Sequence, residues 1–224
     1  MQTYQTPFSS RYWKDAALEL KNTHHLVLAA LLVALRVAVR SISIPIAENL
    51  YVSVGFLPNA LGGLICGPVV ALIAGAASDI LGSFLFPRGP FFPPFMLVEM
   101  LSSLIFALLL YKAPLKVWRV AFSKLLVNLF CNVLLTPLFL AWMYSKTAVL
   151  VDFPRIVKNI ALFPLETLLL VVLLNSLLPG LSKLRILQGG ETSLPWNARH
   201  KLLLCALSVV SAATIYLYIF LYLS

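Results

Sequence analysis

The sequence predicts an all-α protein that crosses a membrane several times. Of its 224 residues, 61% are hydrophobic and 11% charged, whereas a soluble domain carries about 45–50% apolar and about 25% charged residues. Mean hydropathy is +0.94, and the apolar residues fall in runs of about 20, the length a helix needs to cross the hydrocarbon core. The first run places Ala30, Ala34 and Ala38 at every fourth position, so one helix face is bare enough for another helix to approach backbone to backbone. Arg36 lies within the same run, where a charge is costly and is usually tied to function.

Residues 1–23 read as a cytoplasmic tail with a short amphipathic helix in the membrane interface. Over residues 9–22, Trp13, Ala16, Ala17 and Leu20 recur at helical spacing, with charges on the other side. The start is mixed polar and aromatic, so no cleavable signal is expected. Residues 24–180 carry six spans, expected at 24–42, 53–66, 68–86, 93–112, 118–144 and 156–178. The second and third are short and meet at Gly67-Pro68, where the chain should turn tightly. Pro164 predicts a kink in the sixth. Residues 181–201 form a polar linker, and 202–224 an additional transmembrane helix.

Lysine and arginine set the expected topology. The N-terminal tail, the 111–124 loop and the 183–201 linker together hold eleven basic residues, against five at Arg40, Arg88, Lys146, Arg155 and Lys158. The N-terminus is therefore placed in the cytoplasm and, with seven spans, the C-terminus outside. Lys124 counts here as a topological residue near the cytoplasmic end. Asp152 and Glu48 offset part of the outer charge. The rest either snorkels to lipid headgroups or forms a cationic vestibule for an anionic solute.

Four groups of residues carry chemistry. Asp79, Glu99 and Glu166 fall inside spans; they either line an ion path or serve as partners for Arg36 and neighbouring polar groups. The stretch 79–95 surrounds Arg88 with prolines and aromatics, among them Phe91 and Phe92. Such a stiff loop suits a flat heterocycle and an anionic group, or else an interfacial aromatic belt. Lys124, Asn128 and Asn132 share one helix face, whose amides either read a heterocycle edge or bond between helices. Arg155, Lys158 and Asn159 cluster at the start of the sixth span and, with Arg88 and Arg36, could surround an anion.

Catalysis has little support. Phosphate-binding glycine loops, metal-binding histidine pairs and activated nucleophiles are missing, so no catalytic residue, metal or resident cofactor is expected. Cys66, Cys131 and Cys205 lie singly in apolar runs and read as packing residues. His24, His25 and His200 flank spans and read as interfacial. The chain has no ATP site of its own, and no nucleic-acid partner is expected.

Four stretches together resemble a known family. They are Tyr12–Thr23 running into Ala30–Val37; Gly55-Phe-Leu-Pro58 followed by Gly67-Pro68; Asp79–Gly82 with Phe86-Pro87 and Gly89–Pro93; and Pro154–Asn159. The pattern is similar to the substrate-binding S component of energy-coupling-factor (ECF) vitamin transporters, and within it to the folate group. The resemblance covers roughly residues 9–180. It implies a six-helix transmembrane bundle that binds the vitamin near its outer face, in a bacterial plasma membrane. It also implies assembly with a transmembrane coupling subunit and two ATPase subunits, which use ATP to drive release. The helix stripe that docks on the coupling subunit would be Ala30, Ala34 and Ala38.

On this reading Phe91, Phe92, Asn128 and Asn132 suit a pterin. Arg88, Arg155 and Lys158 suit the two carboxylates of the glutamate, with Asn159 beside them. Arg36 is either a ligand contact or a counter-ion to Asp79 or Glu99. Three departures stand out: the extra apolar run at the C-terminus, the doubled proline at Pro93-Pro94, and His24-His25 where a basic residue is usual. The alternatives are an S component for another flat vitamin such as riboflavin, and an ion-coupled secondary transporter using Asp79, Glu99 and Glu166.

Overall fold

A computed structural model describes residues 10–47, 50–87, 89–144, 153–184, 186, 194, 205–211 and 213. Helix α1 (Ser10–Leu18) ends in a 3₁₀ turn, Glu19–Lys21, and Asn22 caps the next helix by accepting the His24 amide at 3.1 Å. Helix α2 (Thr23–Ser41) leads into strands β1 (Ile44–Ala47) and β2 (Leu50–Val52). Then follow α3 (Phe56–Leu85), α4 (Pro94–Leu110), α5 (Val117–Leu126), a π-helical stretch (Val127–Leu135), α6 (Thr136–Tyr144) and α7 (Phe153–Lys183). Among the described residues, four helical segments, Thr23–Ser41, Phe56–Leu85, Val117–Tyr144 and Phe153–Lys183, are long and apolar enough to cross a membrane. With the two halves of α3 counted separately and the 17-residue α4 added, the six expected spans are all helical.

Gly67 divides α3. Its φ of +76° is a conformation that only glycine adopts without strain, and a Cβ there would lie 2.9 Å from the Tyr111 ring. Pro68 follows, where its ring presets the first turn of the second half-helix. The second half then passes α4 so closely that a Cβ on Gly75 would sit 2.9 Å from the Glu99 carbonyl and the Ser103 hydroxyl. The main core lies between α3, α4, α5 and α7, with Ala60, Phe106, Leu110, Val120, Leu170 and Leu174 fully buried. Leu194 of the linker joins that core, and its amide donates to Asn175 Oδ1 at 3.3 Å.

The structure corrects several sequence expectations. The all-α fold carries one addition that the sequence reading lacks, a short hairpin in which β1 and β2 pair antiparallel with a bulge between Pro45 and Ala47. A two-stranded ribbon accepts a proline because each strand has an open edge. Helix α7 is one helix over Phe153–Lys183 with Pro164 and Pro179 inside it. In α1 the protein-facing residues are Tyr12 and Ala16 with the following Glu19, while Trp13 is 39% exposed. The aromatic–alanine stripe read from spacing therefore turns outward in part, as an interfacial tryptophan should. Of the expected helix 202–224, residues 205–211 are helical with Ser208 and Ser211 buried, and most of the rest lies outside the described residues.

At the α1 end of the bundle a polar cluster closes on itself. Glu19 is buried and receives the Tyr111 hydroxyl at 2.9 Å on Oε1, and His25 Nδ1 lies 2.7 Å from Oε2. Lys112 Nζ stands 3.8 Å from Glu19 and 3.6 Å from Asp15, and Tyr12 donates to the Ala107 carbonyl at 3.3 Å. Lys112 holds a φ of +47°, a conformation unusual outside glycine that the two carboxylates help to offset. Burial pushes the Glu19 carboxyl up, but His25, Tyr111 and Lys112 outweigh it and hold the group below its ordinary range.

Candidate functional site

At the hairpin end the helices separate around a cavity of about 360 Å³, within the range of roughly 300–1,000 Å³ typical of small-molecule sites. Its walls are aromatic: Phe56, Phe91, Phe92, Phe95, Tyr51 and Tyr144 all face it. Phe92 is held edge-on by Phe95 and Trp142, with ring centroids 5.8 and 5.5 Å away. Phe91 stacks on Phe84 at 5.8 Å. Rings fixed in this way offer flat apolar faces at little entropic cost on binding.

One polar wall comes from α2, α3 and α4. Arg36 donates to the Glu99 carboxylate and, at 3.1 Å, to the Ser103 hydroxyl. Asn59 completes this group: its amide donates to Ser102 Oγ at 2.7 Å, and its Oδ1 lies 2.8 Å from Ser103 Oγ. One turn along α2, Arg40 reaches Asp79 at 3.3 Å and Ser83 at 3.4 Å. Arg36 thus pairs with Glu99 and leaves Asp79 to Arg40, which basic-residue counting had placed on the outer side.

The opposite wall comes from α5, the π-helical stretch and α7. Lys124 Nζ lies 3.1 Å from Glu166 Oε2 and 4.1 Å from the centroid of the Phe56 ring. Asn128 donates to the same Oε2 at 3.2 Å. A carboxylate only accepts, so it fixes which way the Asn128 amide points. Asn128 Oδ1 must then accept, and Asn132 Nδ2 donates to it at 3.1 Å and to Asn159 Oδ1 at 3.2 Å. Asn159 passes its own amide to the Arg155 carbonyl at 2.8 Å. Two asparagines four apart in the π-helical stretch and one on α7 are thus oriented from a single acid. Helical turns of the π type are rare and occur disproportionately at functional sites.

The cavity brings together Arg36, Phe91, Phe92, Asn132, Arg155 and Lys158. Asn128 and Asn159 are buried behind it, where they position Glu166 and Asn132. Lys158 donates to the Tyr51 carbonyl at 2.9 Å and so ties the hairpin to α7. Arg88 lies outside the described residues. Lys124, read from sequence as a topological residue, is 2% exposed and lines the cavity. Its placement follows from Glu166, a partner distant in sequence. Asn59 and Ser102 were missed; a lone asparagine in the apolar run 57–61 is the signal that could have found them.

Each of the three span acids has a basic partner: Asp79 with Arg40, Glu99 with Arg36 and Glu166 with Lys124. No group of three metal-ligating side chains occurs among the described residues. On the far side of α2, Ala30, Ala34 and Ala38 are all exposed, alongside Leu31 and Leu35. The helix presents its arginine to the cavity and its small residues outward.

The family model of the ECF-type riboflavin transporter, S component, matches residues 20–178. Three similar proteins are each called folate transporter FolT. The one from Clostridium novyi is 30% identical over 130 residues, covering 58% of this chain and 74% of that protein. The one from Leuconostoc mesenteroides is 29% identical over 174 residues, covering 75% and 92%. The one from Streptococcus mutans is 32% identical over 127 residues, covering 54% and 68%. A crystal structure of FolT bound with folic acid superposes with a TM-score of 0.60 at 34% identity, covering 66% of this chain and 89% of that one.

Proposed function

The chain belongs to the ECF-type riboflavin transporter S-component family, and from that premise we propose that it is a folate-binding S component. The observation that carries the reading is the cavity: aromatic walls for a flat ring, a row of oriented donors and acceptors, and Arg155 and Lys158 beside it for carboxylates. Relatives and a structural neighbour that bear the folate name support the choice of vitamin. The pterin enters first, between the phenylalanines and the Asn132–Glu166 row, and the glutamate stays by Arg155 and Lys158. Riboflavin is the second reading, favoured by the family model's name.

Calorimetric titration of the purified chain in detergent with folate, riboflavin and thiamine tests this. Tight one-to-one binding of folate by the chain alone is the expected result. Tight binding of riboflavin instead would keep the family and change the vitamin.

We further propose that the cavity faces outward in a bacterial plasma membrane with the N-terminus in the cytoplasm. The partners would be a transmembrane coupling subunit and two ATPase subunits. Ala30, Ala34 and Ala38 would form the docking stripe; their exposure is compatible with it. Ala34→Trp should then spare folate affinity and abolish co-purification with the coupling subunit. Lost folate binding with assembly intact would remove the stripe from the scheme.

A further inference from the structure

We propose that Glu166 and Lys124 choose the ring, by accepting 2-aminopteridines and rejecting rings with carbonyls at both C2 and C4. The inference rests on the folate reading and deepens it. Both residues line the cavity, and both are largely buried, at 9% and 2% exposure. The two contacts that Glu166 makes, with Lys124 at 3.1 Å and Asn128 at 3.2 Å, fall on Oε2. Among the described residues Oε1 accepts no hydrogen bond. A carboxylate has about four acceptor positions, so capacity remains at a site that faces open space.

The other two acids lining the cavity are differently placed. Glu99 and Asp79 each meet an arginine, whose guanidinium brings several donors in a fixed fork. Lys124 is a point charge with three donors, and the Phe56 ring supports it from one side at 4.1 Å. It can hold Glu166 and still donate to a ligand.

The chemistry of the ring edge does the rest. A pterin presents two adjacent donors, the C2 amino group and N3–H, followed by the C4 carbonyl as acceptor. A carboxylate takes the two donors in parallel, and an ammonium beside it takes the carbonyl. An isoalloxazine, or a pteridine with oxygen at C2, presents acceptor, donor, acceptor. Its C2 oxygen would be driven against the Glu166 carboxylate, leaving two buried acceptors facing each other. Buried polar groups left unpaired in this way allow discrimination of about 10⁴-fold in favourable cases. The same pair therefore accounts for a folate-type preference in a family whose model carries the name of a flavin vitamin.

The test compares folate, its analogue with oxygen in place of the C2 amino group, and riboflavin, by calorimetry on the whole chain in detergent. The wild-type chain should prefer folate over the 2-oxo analogue by about 100-fold or more. In Glu166→Gln the ratio should fall below about 10-fold, because the amide can donate to the C2 oxygen. Folate and the 2-oxo analogue binding within threefold of each other in the wild type would overturn the assignment and leave the folate reading standing. Equal weakening of both ligands in Glu166→Gln would also overturn it, since a merely structural acid would act that way. Riboflavin bound in preference to folate would sink both readings. If the variant does not fold, the wild-type ratio alone decides.

Discussion

At the hairpin end, Arg36, Glu99, Lys124 and Glu166 stand around about 360 Å³ of open space. At the opposite end, Glu19 is met by Tyr111 at 2.9 Å, by His25 at 2.7 Å and by Lys112 at 3.8 Å. The residue types are nearly the same, yet the first set lines open space with acceptor and donor capacity to spare, while the second spends its capacity internally. Polar groups around space specify a ligand; polar groups that close on each other fasten helices. Substitutions at the two ends should therefore separate cleanly, affinity moving at one and stability at the other.

The largest effect is expected at the closed end. Gly67→Leu forces a side chain into a positive-φ position against the Tyr111 ring and should cost about 2–6 kcal/mol of stability, counting backbone strain and overpacking together. Thermal unfolding in detergent would show it, while folate affinity of the folded fraction stays near wild type. A large loss of affinity at unchanged melting temperature would break the division between the ends.

A smaller effect is expected at the cavity. Arg155→Ala should weaken folate about 10- to 100-fold, the worth of one charged hydrogen bond. A pteroate ligand, which lacks the glutamate, should lose less. Equal losses for the two ligands would reverse the orientation given to folate.

The smallest effect concerns Glu19. Its carboxyl titrates below its ordinary range when folded, so its contribution is complete above the unfolded-state pKa. That contribution fades as pH falls through the folded value. Melting temperature should drop as pH falls below about 5. Glu19→Gln should flatten that slope and cost a few degrees at neutral pH, about 2–4 °C per kcal/mol for a domain of this size. An unchanged slope in the variant would assign the acid sensitivity to other carboxylates.

The two ends also differ in how far they were legible in the sequence. The spans and the Gly67-Pro68 turn could be read because hydropathy and glycine–proline chemistry are local signals. The hairpin was missed because its strands, Ile44–Ala47 and Leu50–Val52, are short and one contains Pro45. Arg36, Asn132, Arg155 and Lys158, which stand out in the sequence as polar residues in or at the ends of apolar runs, line the cavity. Lys124 was misjudged because a count of basic residues ignores its ion pair with Glu166 on another helix. The π-helical stretch was hidden too: asparagines at positions i and i+4 share a face in either type of helix, so the pattern does not tell the two apart.

That stretch, Val127–Leu135, bears on how the gene can change. Turns of this type carry more residues per turn than the α-helix around them, so shortening the run by one codon would let it relax to ordinary winding. Removing Leu129, which points away from the interior at 51% exposure, would delete no contact described above. It would nevertheless turn the i, i+4 spacing of Asn128 and Asn132 into i, i+3, and so re-aim the amide that Asn132 donates to Asn128. The segment should accordingly tolerate exchanges of one apolar residue for another far better than any change in its length.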